Sequence, residues 1–475
     1  MIRLIGLVAG PLVAALIYYF APDTFNGGVA FTAGGKMTLA ALAWMGIWWM
    51  SEAAPLPATA LLPLVIFPFL GIASIKEAAA PFASPLIYLF LGGFLMAATM
   101  QRWGLDKRIA LMVLRAVGSS PRKIVFAFML VAAVFSAFVS NTATAAMMLP
   151  LALGVLAITK TSGNLLPPPA LLLGIAYGAS IGGLATIIGS PPNGFVVQFL
   201  ASEYDMQVSF LDWMKLGVPV ACVMLPITWW LLVKYLHPSG KNKVEGLAQL
   251  VNDQLKEMGR PSAGEITTFV VFCCAVFGWV TRPLLIDLFP SANISDAGIA
   301  MTAGIALFVI PVNRKGIFAL DWEHAVKIPW QVLILFGGGL SLAAAIKTNG
   351  VSVFFASYAT SLHFLHPIII LVIILAAVVF LTELTSNTAT TAALVPILAA
   401  IALPLDLDRN ALVAGTALAA SCAFMLPVAT PPNAIVFGSG HVTQHQMMRA
   451  GFALNIIGII LISCASLWLI PLVLG

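Results

Sequence analysis

The sequence predicts an all-α polytopic membrane protein with about eleven transmembrane helices and two re-entrant helical hairpins, arranged as an inverted repeat. One observation behind this fold class is composition, because the 475 residues are 61% hydrophobic and only 9% charged. Soluble domains carry roughly 25% charged residues. Apolar runs of about 20 residues, the length that crosses ~30 Å of hydrocarbon, also recur along the whole chain. A duplicated pair of short polar motifs completes the prediction.

Eleven full spans are predicted from apolar length and from breaks at Gly, Pro and charge clusters. They lie at approximately 3–20, 36–50, 56–72, 85–103, 169–199, 214–236, 264–284, 295–312, 330–347, 410–437 and 450–474. Two further apolar segments, 122–152 and 366–402, are too long for one simple helix, and a polar S-N-T-A-T stretch interrupts each. We interpret both as re-entrant hairpins, because broken backbone at membrane depth is tolerated only inside protein or beside a watery cavity.

These segments divide the chain into four parts. Residues 1–35 hold an extra N-terminal transmembrane helix, and residues 237–263 form a polar cytoplasmic linker. The first repeat, 36–236, contains scaffold helices over 36–103, the hairpin 122–152 and a broken helix at 169–199. The second repeat, 264–475, contains scaffold helices over 264–312, the hairpin 366–402 and a broken helix at 410–437.

The distribution of positive charge predicts the orientation of the chain. Of the 23 Lys and Arg residues, 17 fall in segments predicted to lie inside, and the six predicted outside are Lys36, Lys76, Lys215, Arg282, Lys347 and Arg409. Because cytoplasmic loops are enriched in Lys and Arg, the N-terminus is expected in the cytoplasm. We expect a multi-pass protein of the bacterial inner membrane. No basic face interleaved with aromatic residues exists, so nucleic acid is not an expected partner.

Two motifs occur twice, in the same order. Residues 140–150 read S-N-T-A-T-A-A-M-M-L-P and residues 386–396 read S-N-T-A-T-T-A-A-L-V-P, an offset of 246. S-P-P-N at 190–193 returns as T-P-P-N at 430–433, an offset of 240. Without the extra first span, each half has five spans and one hairpin, so the second half enters the membrane from the opposite side. Inverted repeats with broken helices are typical of secondary transporters, whose substrates lie near the membrane midplane.

The motifs contain residue types that suit an anion and a cation together. Ser and Thr hydroxyls and the Asn amide cap helix N-termini, where free N–H groups and the helix dipole favour an anion. The proline pairs at 191–192 and 431–432 prevent a regular helix, which leaves carbonyl oxygens available to a hard cation. No Lys or Arg lies within either motif. A bound anion would therefore depend on bound sodium for positive charge, which is a physical reason for coupling.

These residues also fit other interpretations. Small residues such as those of S-N-T-A-T also permit close helix packing, but two copies, each followed by its own P-P-N, favour a site. Glu383 precedes the second motif by three residues, and either a functional intramembrane acid or a paired group at a hairpin end fits it. No H-E-x-x-H or Walker A motif occurs. We expect neither an enzyme nor ATP-driven transport, and no cofactor apart from Na⁺ as coupling ion.

Together with the paired motifs, three stretches resemble the divalent anion:sodium symporter family, in particular its sodium-coupled dicarboxylate branch. They are L-F-G-G-G-L-S-L (335–342), F-L-T-E-L-T-S-N-T-A (380–389) and S-C-A-F-M-L-P-V-A-T-P-P-N-A-I-V-F (421–437). The resemblance implies sodium-coupled uptake of C4 dicarboxylates (succinate, malate, fumarate) by a homodimer in the lipid bilayer. It also implies a scaffold and a transport domain that moves like an elevator. A sodium-independent dicarboxylate exchanger and a symporter for citrate or sulfate are the alternatives.

The resemblance also implies roles for individual residues. The expected sodium ligands are Ser136, Ser140, Asn141 and backbone near Gly189 at one site, and Thr382, Thr385, Asn387 and backbone near Ala429 at the other. The expected substrate contacts are Ser140, Asn141, Thr142, Ser386, Asn387 and Thr388, with Ser190, Thr430 and Pro431 close by. Sodium is the only metal ion expected, and no catalytic residue is expected.

Overall fold

The computed structural model describes residues 2–25, 29–161, 166–240, 244, 246–313, 316–359 and 365–475. Apart from a pair of two-residue antiparallel strands, β1 (Thr24–Phe25) and β2 (Val29–Ala30), its regular structure is helical. The helices before the central polar stretch are α1 (Ile2–Phe20), α2 (Ala33–Ser51), α3 (Leu56–Ala60), α4 (Leu62–Leu70), α5 (Ile75–Ala79), α6 (Pro85–Trp103), α7 (Leu105–Val117), α8 (Pro121–Ser136), α9 (Asn141–Thr161), α10 (Pro168–Gly183), α11 (Pro191–Tyr204) and α12 (Phe210–Trp230). The later helices are α13 (Leu247–Met258), α14 (Ala263–Leu288), α15 (Asp296–Val309), α16 (Trp322–Ala325), α17 (Trp330–Thr348), α18 (Val351–Ala359), α19 (Pro367–Thr382), α20 (Asn387–Ala402), α21 (Arg409–Ala420), α22 (Pro431–Gly438), α23 (Gln444–Cys464) and α24 (Ile470–Leu474).

Many helices are long and apolar enough to cross a membrane. Within the described residues there are eight such segments: Arg3–Phe20, Ile75–Trp103, Asn141–Thr159, Phe210–Leu236, Ala263–Leu288, Trp330–Thr348, Asn387–Leu405 and Gln444–Leu474. Shorter apolar helices are Leu56–Leu70, Asp296–Val309 and Pro367–Thr382. The predicted class, an all-α polytopic membrane protein, is confirmed. The count of eleven spans and the inverted arrangement stay predictions.

Local sequence accounts for where many helices begin. Four helices begin at a capping box, in which a hydroxyl side chain and the side chain three residues later each accept the other residue's backbone N–H. These helices are α5, α12, α14 and α23, which begin at Ser74, Ser209, Ser262 and Thr443. Proline occupies the first turn of α6, α8, α10 and α19, where its missing N–H costs no helical hydrogen bond.

Four predicted interruptions coincide with breaks between helices. The S-N-T segments separate α8 from α9 at 137–140 and α19 from α20 at 383–386. The segments before each P-P-N separate α10 from α11 at 184–190 and α21 from α22 at 421–430. In both latter cases the proline pair opens the second helix, because a helix can start but not continue regularly at proline.

The cytoplasmic linker predicted at 237–263 contains a helix that the sequence did not predict. This helix, α13, buries Leu247 and Val251 and packs against α7, which was also not predicted. Arg108 of α7 donates to Glu265 at 2.5 Å and to the carbonyl of Gly259 at 3.0 Å. A buried Arg with a carboxylate and a carbonyl as partners holds the end of the linker against the body of the protein.

Close helix packing positions the first hairpin against the first broken helix. Glycines on α10 allow this, because a Cβ on Gly182 would lie 2.1 Å from the carbonyl oxygen of Ala133 on α8. A Cβ on Gly178 would lie 2.7 Å from the carbonyl oxygen of Met129. The hairpins also reach across the two halves, since α9 packs on α22 and α20 packs on α11. All four breaks therefore belong to one packed unit.

Candidate functional site

Oxygen atoms converge at the break in the first hairpin. The hydroxyl of Ser136, the last residue of α8, donates to Asn141 Oδ1 at 2.5 Å. A Cβ added to Gly183 would lie 2.9 Å from Asn141 Oδ1 and 3.0 Å from the carbonyl oxygen of Gly189. Three of the expected ligand residues therefore surround one small space. Ser140 accepts the N–H of Ala143 at 3.2 Å and so caps α9.

The second hairpin repeats this relationship at the same sequence offset. Thr382, the last residue of α19, has its hydroxyl 2.7 Å from Asn387 Oδ1 and 2.8 Å from the carbonyl oxygen of Ala420. One hydroxyl hydrogen serves two acceptors, so oxygen lone pairs are in excess at this point. Hard cations select such oxygen groups. The described residues hold no cluster of three or more His, Cys, Asp or Glu side chains, so neutral oxygens are what these breaks offer.

Thr385 has other partners. Its hydroxyl lies 2.9 Å from the carbonyl oxygen of Leu381 and 2.6 Å from the hydroxyl of Thr390. At the offset of 246, Thr385 corresponds to Val139, whereas Ser140 corresponds to Ser386. The two sets of expected ligands therefore match at Ser136 with Thr382 and at Asn141 with Asn387, but not at Thr385.

The asparagines of the two P-P-N motifs bind equivalent backbone positions. Asn193 Nδ2 donates to the carbonyl oxygens of Gly183 at 2.9 Å and Thr186 at 2.8 Å. Asn433 Nδ2 donates to those of Ala423 at 3.3 Å and Leu426 at 3.0 Å, which are the same positions 240 residues later. Both asparagines are fully buried. Each side chain satisfies carbonyls that the broken helix leaves without helical partners.

The two broken helices meet at a pair of serines. Ser190, which precedes the first proline pair, has its hydroxyl oxygen 2.9 Å from that of Ser421 at the end of α21. Ser421 also donates to the carbonyl of Ala417 at 3.1 Å, so Ser190 is the donor in the serine pair when that bond forms. This contact links the break of one half directly to the break of the other.

Four helices begin at these breaks, and two of them, α11 and α20, begin without a side-chain cap. Thr430 accepts the N–H of Asn433 at the start of α22, and Ser140 caps α9. Ser386 makes no side-chain cap at the start of α20. Unlike α11 and α22, α20 has no proline in its first turn, so its first N–H groups remain as donors for an anion.

Corresponding residues of the two hairpin tips differ in exposure. Thr142 is exposed, whereas Thr388, its counterpart, is 8% exposed. Ser140, Asn141, Ser386 and Asn387 are half-buried. Ser190 and Thr430 are buried, and Pro431 is exposed. Most of the expected substrate contacts are thus at least partly accessible, but the two tips do not share one environment.

Glu383 is buried and bonded to backbone. Its carboxylate accepts the N–H groups of Phe424, Met425 and Leu426 at 2.7, 2.9 and 3.0 Å, and Asn455 Nδ2 at 2.8 Å. Of the two interpretations left open, pairing at a hairpin end is the one with direct geometric support.

Several residues around these breaks were not singled out from the sequence. Thr186, Asn193 and Asn433 organise the broken helices, and Ser421 joins them. Each asparagine belongs to one copy of the P-P-N motif, so the repetition of that motif could have identified both. Ser421 and Thr186 lie in stretches that are not duplicated, and only the fold brings them to the site.

The chain is similar in sequence to known transporters. The sequence profile described as the sodium:sulfate symporter transmembrane region matches residues 7–474. The sodium-dependent dicarboxylate transporter SdcS of Staphylococcus saprophyticus is 37% identical over 486 residues, covering 100% of this chain and 92% of that protein. SdcS of Staphylococcus aureus strain USA300 is 37% identical over 485 residues, with the same coverage.

Two solved structures are similar in fold. The Alcanivorax borkumensis YdaH transporter has a TM-score of 0.58 at 11% identity, and the match covers 98% of this chain and 97% of that transporter. Neisseria gonorrhoeae MtrF has a TM-score of 0.60 at 13% identity, and the match covers 98% of this chain and 94% of MtrF. At these identities the similarity concerns the fold alone.

Proposed function

This chain belongs to the sodium:sulfate symporter family, and on that premise we propose that it is a secondary active transporter that couples sodium entry to uptake of C4 dicarboxylates such as succinate, malate and fumarate. The observation that carries the proposal is the repeated oxygen pair, Ser136 with Asn141 and Thr382 with Asn387. Two relatives that match the whole chain are named sodium-dependent dicarboxylate transporters, which favours this cargo.

Sodium would bind at both oxygen pairs. The first site would use Ser136, Ser140, Asn141 and the backbone at Gly189. The second would use Thr382, Thr385, Asn387 and the backbone at Ala429. These are neutral oxygen groups of the kind that hard cations prefer, and the burial of Ser136 and Thr382 strengthens their interaction with charge.

The dicarboxylate would lie between the two hairpin tips. One carboxylate would meet Ser386, Asn387 and Thr388 at the uncapped start of α20, where free N–H groups favour an anion. The other would meet Ser140, Asn141 and Thr142. Ser190, Thr430 and Pro431 would line the remaining sides. Because no Lys or Arg lies in these motifs, sodium binding must precede or accompany the dianion.

We propose alternating access by an elevator-type movement within a homodimer of the bacterial inner membrane, with the N-terminus in the cytoplasm. The moving unit would contain α8–α11 and α19–α22, which pack together across both halves. Helices α2–α4, α14 and α15 would stay at the dimer interface. The unequal exposure of Thr142 and Thr388 is expected of a state that opens to one side.

Two experiments test this function. Uptake of radiolabelled succinate into proteoliposomes is measured with sodium, potassium or choline outside, and with sulfate, citrate, malate or fumarate as competitors. We expect sodium dependence and competition by C4 dicarboxylates. Equal uptake in potassium would instead indicate a sodium-independent exchanger, and competition by sulfate or citrate alone would change the cargo.

The oxygen pairs are tested by substitution. Asn141→Ala and Asn387→Ala should each abolish uptake while the purified protein remains folded, because each removes an oxygen from one sodium site. Wild-type uptake should rise cooperatively with sodium concentration. A sodium curve with a Hill slope near one would contradict the two-site proposal.

A further inference from the structure

Glu383 is an unusual group for its position. It lies between Thr382 and the S-N-T motif, is 3% exposed, and takes part in none of the ion pairs between described residues. Its four hydrogen-bond partners are all donors. This matches an acceptor-only carboxylate, which here accepts three backbone N–H groups and one side-chain amide.

Three of those donors belong to the segment that carries Ala429, the backbone ligand expected at the second sodium site. Glu383 holds Phe424, Met425 and Leu426 through consecutive N–H groups. The carbonyl of Leu426 in turn accepts the N–H of Ala429 at 3.2 Å and the side chain of Asn433 at 3.0 Å. The carboxylate therefore fixes the backbone from residue 424 to the start of α22.

In the first half, a neutral group anchors the corresponding segment to the hairpin break. The residue that corresponds to Glu383 at the offset of 246 is Ala137, which has no side-chain acceptor. Here the hydroxyl of Thr186 donates to the carbonyl of Ala137 and accepts the N–H of Gly189 at 3.0 Å. Thr186 corresponds to Leu426 at the offset of 240. Both segments are anchored to the hairpin break, one by a hydroxyl and one by a carboxylate.

We propose that Glu383 is a positioning residue for the second sodium site, and that its charge makes this site bind sodium more tightly than the first. The proposal rests on the proposed sodium coupling. Two effects combine. The carboxylate orders the segment that presents the carbonyl of Ala429, and a negative charge that has no counter-ion among the described residues attracts a cation in a medium that screens it poorly. At the first site, the hydroxyl of Thr186 orders the corresponding segment without adding a negative charge.

The test compares wild type with Glu383→Gln and with Thr186→Val, which removes the neutral anchor of the first half. In proteoliposomes, initial uptake of succinate is measured against sodium at saturating succinate, and against succinate at saturating sodium. Hydrogen–deuterium exchange of the purified protein in the absence of sodium is followed in peptides that cover 184–190 and 421–430.

For Glu383→Gln we expect the half-saturating sodium concentration to rise about tenfold, because charge-assisted bonds and a charge are both lost. The maximal rate at saturating sodium should stay within about twofold, since the ligand oxygens remain. Exchange should rise in 421–430 only. Thr186→Val should raise exchange in 184–190 only, with a smaller change in sodium affinity.

An unchanged sodium curve in folded Glu383→Gln would overturn the proposal, and so would a uniform loss of rate and thermal stability with the same sodium affinity. If Glu383→Gln does not fold, Asn455→Ala keeps the carboxylate but removes one donor. We then expect a shift in the same direction of about threefold, and no shift would overturn the proposal. If wild type needs no sodium, the proposed function fails, and the exchange experiment still decides whether Glu383 anchors the segment.

Discussion

Ser190 and Ser421 place their hydroxyl oxygens 2.9 Å apart, although 231 residues separate them in the chain. Ser190 precedes the first P-P-N motif, and Ser421 ends the helix before the second. The pair is buried, and it joins the two broken helices where substrate is proposed to bind. Each hydroxyl orients the other, so the pair couples the halves chemically as well as by packing.

Removing one member of the serine pair should weaken substrate binding. Ser421→Ala leaves Ser190 without this partner, so we expect the KM for succinate to rise about two- to tenfold, the effect of one net hydrogen bond. Ser202→Ala, an exposed serine on α11, is the matched control and should leave KM unchanged. Equal KM values for Ser421→Ala and wild type would show that the contact does not serve binding.

The two buried asparagines should matter equally for stability. Asn193→Ala and Asn433→Ala each remove the side-chain donor of two carbonyl oxygens, and a buried carbonyl left unpaired costs about 1–3 kcal/mol. We expect both variants to have a lower melting temperature in detergent, measured by the loss of the monodisperse species on heating. A large effect in one half and none in the other would contradict their structural equivalence.

The contact between α8 and α10 should not accept a methyl group at Gly182. An added Cβ would lie 2.1 Å from a backbone oxygen of Ala133, which cannot move like a side chain, so we expect Gly182→Ala to be poorly folded. Gly154→Ala is the control, because its Cβ would lie 3.8 Å from Leu250 in ordinary contact. Similar yields of monodisperse protein for the two variants would contradict this packing.

The interruptions of the fold could be predicted from the sequence, but most of their partners could not. Paired prolines and duplicated S-N-T motifs mark breaks because proline lacks an N–H and small polar residues cap helices. Helix α13 was not predicted because its mixed charges interrupt any long apolar run. The structure shows that it nevertheless buries Leu247 and Val251. Three of the four partners of Glu383 are backbone N–H groups, which no residue pattern identifies.

The pH dependence of uptake should follow the cargo rather than the protein. The proposed ligands are hydroxyl, amide and backbone groups, and none titrates between pH 5 and 8. C4 dicarboxylates lose their second proton in the mildly acidic range, so the rate should track the concentration of the dianion. Uptake is measured for two dicarboxylates of different acidity. A pH optimum that stays fixed when the substrate changes would indicate a titrating protein group instead.

The most direct test of sodium coupling is uphill accumulation. Proteoliposomes containing the purified protein are loaded with equal succinate inside and outside, and a sodium gradient directed inward is then imposed, with potassium replacing sodium in the control. The proposed symport predicts that radiolabelled succinate rises above its outside concentration, and that it falls back when an ionophore abolishes the sodium gradient. Equilibration without accumulation, at the same rate in both salts, would contradict it.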